Sequence, residues 1–199
     1  MSGAPEPALF PVFLRLAGRR VLVVGGGKVA EAKLRGLIET GARLTVVAPE
    51  VRDAIASLPV QVLRRPFRSE DADGAWLVVA AAPPDVNREV FAAGETRGVF
   101  VNAVDDPVHG SAYTGGVLRR GGVTIAVSTE GRAPALAGLL REALEAVIPE
   151  EVEAWVEEAS RVRVQHKADG VPMAGRRPLL LEALNRLYEG RLPSHGAQA

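Results

Sequence analysis

A chain of 199 residues holds material for one large domain, or for one domain with a smaller appendage. Its 24 basic residues balance 24 acidic ones, which removes the positive field that draws a protein to nucleic acid or to an anionic membrane. The absence of cysteine excludes disulfides, thiolate metal sites and cysteine nucleophiles, and suits a reducing cytoplasm. Met1 to Phe10 carries neither a basic start nor a long apolar run, so it does not read as a secretory signal. The longest apolar stretches, such as Trp76 to Ala82, fall short of the ~18 apolar residues that a membrane helix needs. A cytoplasmic globular protein is expected.

The first half alternates short β-branched runs with amphipathic segments, the grammar of a parallel sheet covered by helices. Strands are expected at Arg20 to Val24, Arg43 to Val47, Gln61 to Leu63, Trp76 to Ala80 and Val99 to Asn102. All are too continuously apolar to leave one face in water. Between the first two, Ala30, Leu34, Leu37 and Ile38 recur at helical spacing before Gly41, and Pro84 to Arg97 reads as a second helix with Pro84 in its first turn. After Asn102 the pattern changes. Tyr113 to Leu118 and Val123 to Ser128 are strand-like runs separated by Arg119 to Gly122, which suggests a hairpin. From Ala133 onward the sequence is helical, with stripes at Leu136, Leu139, Leu140, Ala143 and Val147, at Val152, Trp155, Val156 and Ala159, and at Leu180, Leu184, Leu187 and Tyr188. Lys167 to Pro178, with its glycines and prolines, is expected to be a loop, and the tail after Leu192 to fray.

The strand Val21 to Val24 runs straight into Gly25, Gly26, Gly27, Lys28, Val29 and Ala30, a GxGxxA fingerprint in its required strand-to-helix setting. Gly25 permits the tight turn, Gly27 lets the backbone approach a pyrophosphate, and Ala30 lets the helix pack closely on the strand. The helix N-terminus then offers its amides to phosphate. Glu50 stands twenty positions after Ala30, just past the second strand, where an acid accepts hydrogen bonds from the adenosine ribose. That favours NAD over NADP, although Arg52 is near enough in sequence to meet a 2′-phosphate. Gly25 to Ala30, Pro49 and Glu50 are therefore the candidate cofactor contacts. The fold expected is α/β: an NAD-binding Rossmann parallel sheet over residues 1–106, a small α+β hairpin and helix over 107–148, to which the resemblance described next assigns dimerisation, and a helical C-terminal module over 149–199.

With Phe10 and Pro11 ahead of the first strand, the runs Val23 to Lys33, Gly41 to Glu50, Val101 to Pro107 and Ile125 to Leu136 give a sequence that resembles the precorrin-2 dehydrogenase family, which includes the N-terminal part of siroheme synthase. The resemblance covers most of the chain up to about Val147. It implies NAD-dependent oxidation of precorrin-2 to sirohydrochlorin on the route to siroheme, in a homodimer whose hairpin and helices form much of the contact. Some members also insert iron. The family's catalytic aspartate matches Asp105 in the segment after the fifth strand.

A carboxylate there is a competent base for the proton left behind when a hydride departs, and ligands of open α/β sheets gather beyond the carboxyl ends of the strands. The plain alternative is that Asp105, Asp106 and Pro107 only make a turn. His109 alone carries no metal-ligand constellation, and no metal site is expected. The substrate of this family bears eight carboxylates, so cations are expected near it. Arg132, just before a helix, is the first candidate, together with Ser128. Two departures from the family pattern stand nearby. Glu130, Gly131, Arg132, Ala133 and Pro134 replace a glycine pair and a Ser-Pro, and Gly115 stands where a proline is common. A rival reading is an NAD-binding redox sensor without catalysis, which gives Asp105 no role and needs an output partner. The residues do not separate siroheme supply from cobalamin supply.

Overall fold

A computed structural model describes residues 8–188. The expected fraying tail after Leu192 lies outside them. The described chain divides into two units, one comprising residues up to Thr114 together with Ser128–Ala133, the other Gly115–Val127 together with the residues from Pro134.

The first unit is a five-stranded, wholly parallel sheet. Its strands are β1 (Arg20–Val24), β2 (Arg43–Val47), β3 (Gln61–Leu63), β4 (Leu77–Ala80) and β5 (Phe100–Ala103), in the order β3-β2-β1-β4-β5. The parallel neighbours β1 and β2, β2 and β3, and β4 and β5 are joined through α1 (Lys28–Ile38), α2 (Asp53–Ala56) and α3 (Pro84–Arg97), connections of a kind that is right-handed as a rule. Because side chains alternate along a strand, β1 sends Val21 and Val23 to one face and Leu22 and Val24 to the other. The first pair packs with Ala30 and Leu34 of α1, the second with Val90 and Ala93 of α3. Each such fully buried aliphatic side chain contributes about 1.5–3 kcal/mol, so β1 is the strand that the fold can least lose.

Two strands of this sheet differ in extent from the sequence reading, β5 by one residue at each end and β4 at its start, and a third, β3, differs in burial. Trp76 lies outside β4 and is half-exposed, its ring under the Arg19 guanidinium at 3.9 Å, so it caps the sheet's lower edge rather than filling the core. β3 is an edge strand and only partly buried, whereas continuous apolarity led us to expect full burial.

The second unit pairs β6 (Gly116–Arg120) with β7 (Val123–Val127) in an antiparallel hairpin, followed by α4 (Pro134–Val147), α5 (Val152–Ala168) and α6 (Met173–Arg186). The hairpin turn is Gly121-Gly122, both at positive φ, so β6 keeps Arg119 and Arg120. A Cβ on Gly121 would lie 2.6 Å from the backbone nitrogen of Glu153, which is how closely α5 approaches the turn. Arg120 reaches across to the carbonyl oxygens of Glu145 and Ile148 at the end of α4.

The expected loop over Lys167 to Pro178 is only partly a loop. α6 begins at Met173 and runs through Pro178. A proline at the sixth helical position removes one backbone bond, and the helix continues because Leu180, Leu184 and Leu187 lie half-buried on one side of it. Trp155 of α5 donates its ring N–H to the hydroxyl of Tyr188, with the two rings edge to face. No described helix is long and apolar enough to cross a membrane.

Candidate functional site

All five strands of the sheet point the same way, so the segments leaving β1, β2, β4 and β5 emerge on one edge. The order reverses at β1, whose neighbours are β2 on one side and β4 on the other. That reversal opens the crevice where doubly wound sheets bind their ligands.

The glycine turn fills this crevice from below. Gly25 has φ +126°, and a Cβ there would lie 2.1 Å from the carbonyl oxygen of Ala81 after β4. A Cβ on Gly26 would lie 2.0 Å from the carbonyl oxygen of Glu50. Both positions are closed from behind by the segments leaving β4 and β2. Gly27, the N-cap of α1, differs: a Cβ there would meet nothing within 4 Å. The backbone is bare on the side where a pyrophosphate needs to come close. The amide of Glu31 donates to the Gly27 carbonyl at 3.1 Å, which leaves the amides of Lys28, Val29 and Ala30 without a carbonyl four residues back inside the helix. Ala30 is fully buried against the strand, while Lys28, Val29, Pro49 and Glu50 are exposed. These features fit a dinucleotide: two glycines packed from behind, one open in front, and a helix N-terminus beside them.

Beyond β5 the chain turns at Val104 and Asp105. Asp105 is exposed and sits at φ +59°, in the left-handed region that non-glycine residues seldom enter. Its neighbour Asp106 is engaged elsewhere, its Oδ2 lying 2.8 Å from Nδ1 of His109, whose ring stands edge-on to Phe91 of α3. His109 is thus a bonded turn residue.

Lys33 escaped the sequence reading. It lies on the inner side of α1, half-buried, and its Nζ donates to Oγ1 of Thr114 at 2.6 Å; that hydroxyl lies 3.3 Å from Oδ1 of Asn102 at the end of β5. Burial pushes the Lys33 ammonium below its ordinary range, and the negative charge of Asp105 acts in the opposite direction. The signal was present: a lysine at the i+3 position from Ala30, on the stripe that carries Leu34 and Leu37.

Glu130 is the other non-glycine residue at positive φ, +56°. Its amide donates to Oγ of Ser128, and its carboxylate pairs with the guanidinium of Arg132. Glu130, Gly131 and Arg132 line a groove of about 540 Å³ with Pro107, Val108 and Tyr113, and the Tyr113 hydroxyl donates to the Pro107 carbonyl at 2.9 Å. Ser128 and Arg132 therefore stand near the groove that begins two residues after Asp105, but Arg132 is already paired. Among the described residues no three histidines, aspartates or glutamates gather as a metal-ligand set.

Residues 12–116, more than half of the chain, match the family described as putative NAD(P)-binding, and residues 120–146 match the sirohaem biosynthesis protein central family. Siroheme synthase 1 of Aeromonas salmonicida is 38% identical over 194 residues, covering 95% of this chain and 42% of that protein. Siroheme synthase 3 of Aeromonas hydrophila is 41% identical over 172 residues, covering 84% of this chain and 37% of its own length. The chain belongs to the siroheme synthase and precorrin-2 dehydrogenase family. It spans well under half the length of these curated family members. Among solved structures, the precorrin-2 dehydrogenase SirC superposes with a TM-score of 0.69 at 27% identity, over 92% of this chain and 94% of SirC. The glycine turn lies inside the residues matched as putative NAD(P)-binding, and the match supports NAD as the cofactor.

Proposed function

We propose that this chain oxidises precorrin-2 to sirohydrochlorin with NAD as hydride acceptor, using Asp105 as the base. The observation that carries the reading is the shared edge: the glycine turn after β1 and the Asp105 turn after β5 leave the same end of one parallel sheet. A cofactor held at one and a carboxylate presented from the other converge on a single substrate position.

Gly25, Gly26 and Gly27 with the first-turn amides of Lys28, Val29 and Ala30 would hold the pyrophosphate, and Glu50 beside Pro49 the adenosine ribose. When bound, NAD accepts the hydride. Asp105 takes the proton that the reduced macrocycle gives up at the neighbouring position, a step for which an exposed carboxylate with no competing ion pair to Asp106's partner His109 is suited. The left-handed backbone at Asp105 supports this role, since strain of this kind is retained where the side chain must be aimed. Arg132 and Ser128 meet substrate carboxylates at the groove, after Glu130 gives way.

A homodimer is part of the same reading. Leu136, Leu139, Leu140 and Val147 of α4 are exposed, 44–76% for each, and form one apolar stripe that this chain leaves uncovered. A second copy would cover it.

The test is anaerobic turnover of enzymatically made precorrin-2 with NAD, followed by NADH and sirohydrochlorin absorbance, for wild type and Asp105→Asn. Product from wild type, and NAD binding without turnover in the variant, would support both parts. A wild type that binds NAD but leaves precorrin-2 untouched would overturn the catalytic reading in favour of a nucleotide-binding module.

A further inference from the structure

Arg52 stands two residues after Glu50, on the segment that leaves β2, where enzymes that use NADP place an arginine for the 2′-phosphate. Its root is fixed at the glycine turn, because its amide donates to the Gly26 carbonyl at 3.1 Å. Its guanidinium is tied as well. Nε donates to Oε2 of Glu31 at 3.2 Å, while Oε1 of the same carboxylate accepts from Nη2 of Arg35 at 2.8 Å. Glu31 lies in the first turn of α1 with its side chain only 17% exposed, whereas the Arg52 side chain is 45% exposed. The acid is the fixed partner and the arginine the one a ligand could reach. Arg64, the next cation along the chain, is directed to the Val51 carbonyl at 3.2 Å.

We propose that Glu31 sets the cofactor preference of this chain by holding Arg52 away from a 2′-phosphate, so that the NADP-binding arginine is present but withheld. The inference rests on the nucleotide-site reading above and adds a residue that the fingerprint does not contain. A 2′-phosphate approaching Arg52 would have to displace a carboxylate that already accepts on both oxygens, and it would meet that carboxylate's charge as it did so. The ribose of NAD needs neither concession, because Glu50 accepts from its hydroxyls without Arg52. Hydrogen bonding by Arg35 first, and then by Arg52, keeps the Glu31 carboxyl below its ordinary range, so the clamp is closed throughout the neutral range.

The experiment is calorimetric titration of the full chain with NAD⁺ and with NADP⁺, in wild type, Glu31→Gln, Arg52→Ala and the double variant, at one fixed salt concentration. Glu31→Gln removes the charge that holds Arg52 and keeps the shape. It is expected to raise the NADP⁺ to NAD⁺ affinity ratio about tenfold, the scale of one charge-assisted contact to phosphate. Glu50 remains, so the change in ratio is the readout rather than a full reversal. The double variant is expected to lose that gain. Arg52→Ala alone is expected to leave the ratio within about twofold of wild type, since the arginine is already withheld.

An unchanged ratio in Glu31→Gln overturns the proposal. So does a gain that survives in the double variant, which would reduce Glu31 to a repelling charge, and so does a loss of NADP⁺ binding in Arg52→Ala alone. That last result stands even if Glu31→Gln fails to fold. Wild type that binds neither nucleotide overturns the nucleotide-site reading itself, a result distinct from all of these.

Discussion

Gly25, Gly26 and Gly27 are adjacent yet answer to different constraints. Gly26 is required by the fold, because a methyl there overlaps the Glu50 carbonyl at 2.0 Å and the segment leaving β2 would have to move. Gly27 has empty space where its Cβ would be. Gly27→Ala is therefore expected to melt close to wild type, within about 1 kcal/mol, while losing most of its NAD affinity. Gly26→Ala is expected to lose stability as well, and thermal melts read beside nucleotide titrations separate the two. A second expectation concerns Glu130. If it competes with substrate for Arg132, Glu130→Gln lowers the KM for precorrin-2 with little change in kcat, measured in the anaerobic assay. Asp71 supplies a pH test. Both of its oxygens accept from Arg65, at 2.8 and 2.6 Å, and the Arg68 amide adds a third bond, so its carboxyl is held below the ordinary range despite burial. The sign follows: the contribution is whole above the unfolded value of about 3.9 and is lost as pH falls through the lower folded value. Asp71→Asn should thus cost stability at pH 7, on the order of 2 kcal/mol by denaturant melts, and lose less on acidification than wild type. The strand-to-helix turn at Gly25–Gly27 was legible because a strand end, three glycines and a helix start follow one another in sequence. The left-handed backbone of Asp105 was not, since residue type alone does not reveal φ, nor was the pairing of Arg132, since Glu130 becomes its partner only through the turn between them.

Secondary structure was legible wherever burial and period agreed. β1, β2, β3 and α3 lie where the sequence places them, and α1 buries Ala30 and Leu34 as its spacing indicates. Short pieces were missed. α2 is a single turn of four residues, too brief for a period to show, and the 3₁₀ turns at Ser69–Ala72 and Pro107–His109 hold no apolar repeat. α6 was hidden by Pro178, a residue that usually ends a helix. α4 is instructive in another way. Its stripe at Leu136, Leu139, Leu140, Ala143 and Val147 has the right period, but in this chain it is exposed, and the helix packs on its hairpin through Ala137 instead. An amphipathic pattern says that a face is to be covered and not by what. Leu139→Glu is expected to convert a dimer to monomer in sedimentation velocity while leaving the NAD affinity of each chain intact.

At the scale of the molecule the chain visits its units in the sequence first, second, first, second, because Ser128–Ala133 groups with the sheet while β7 before it and α4 after it do not. Periodicity assigns elements one at a time and carries no information about which unit a returning loop joins. The returning segment matters to the sheet unit: Gly131, at φ +77°, packs so closely on Pro107 and Tyr113 that a Cβ would lie 3.2 Å from the proline ring. A fragment ending at Thr114 keeps the glycine turn but loses this packing. It is expected to bind NAD, to melt below the full chain, and to show no turnover of precorrin-2, which calorimetry and the anaerobic assay would read in turn. The chain's two tryptophans fall one to each unit, Trp76 beneath Arg19 and Trp155 bonded to Tyr188. Each is therefore a natural fluorophore with its own quencher or neighbour. In Trp76→Phe the emission comes from the helical unit alone, and in Trp155→Phe from the sheet unit alone, so the protein arrives with a separate optical channel for each half and needs no label to be watched unfolding.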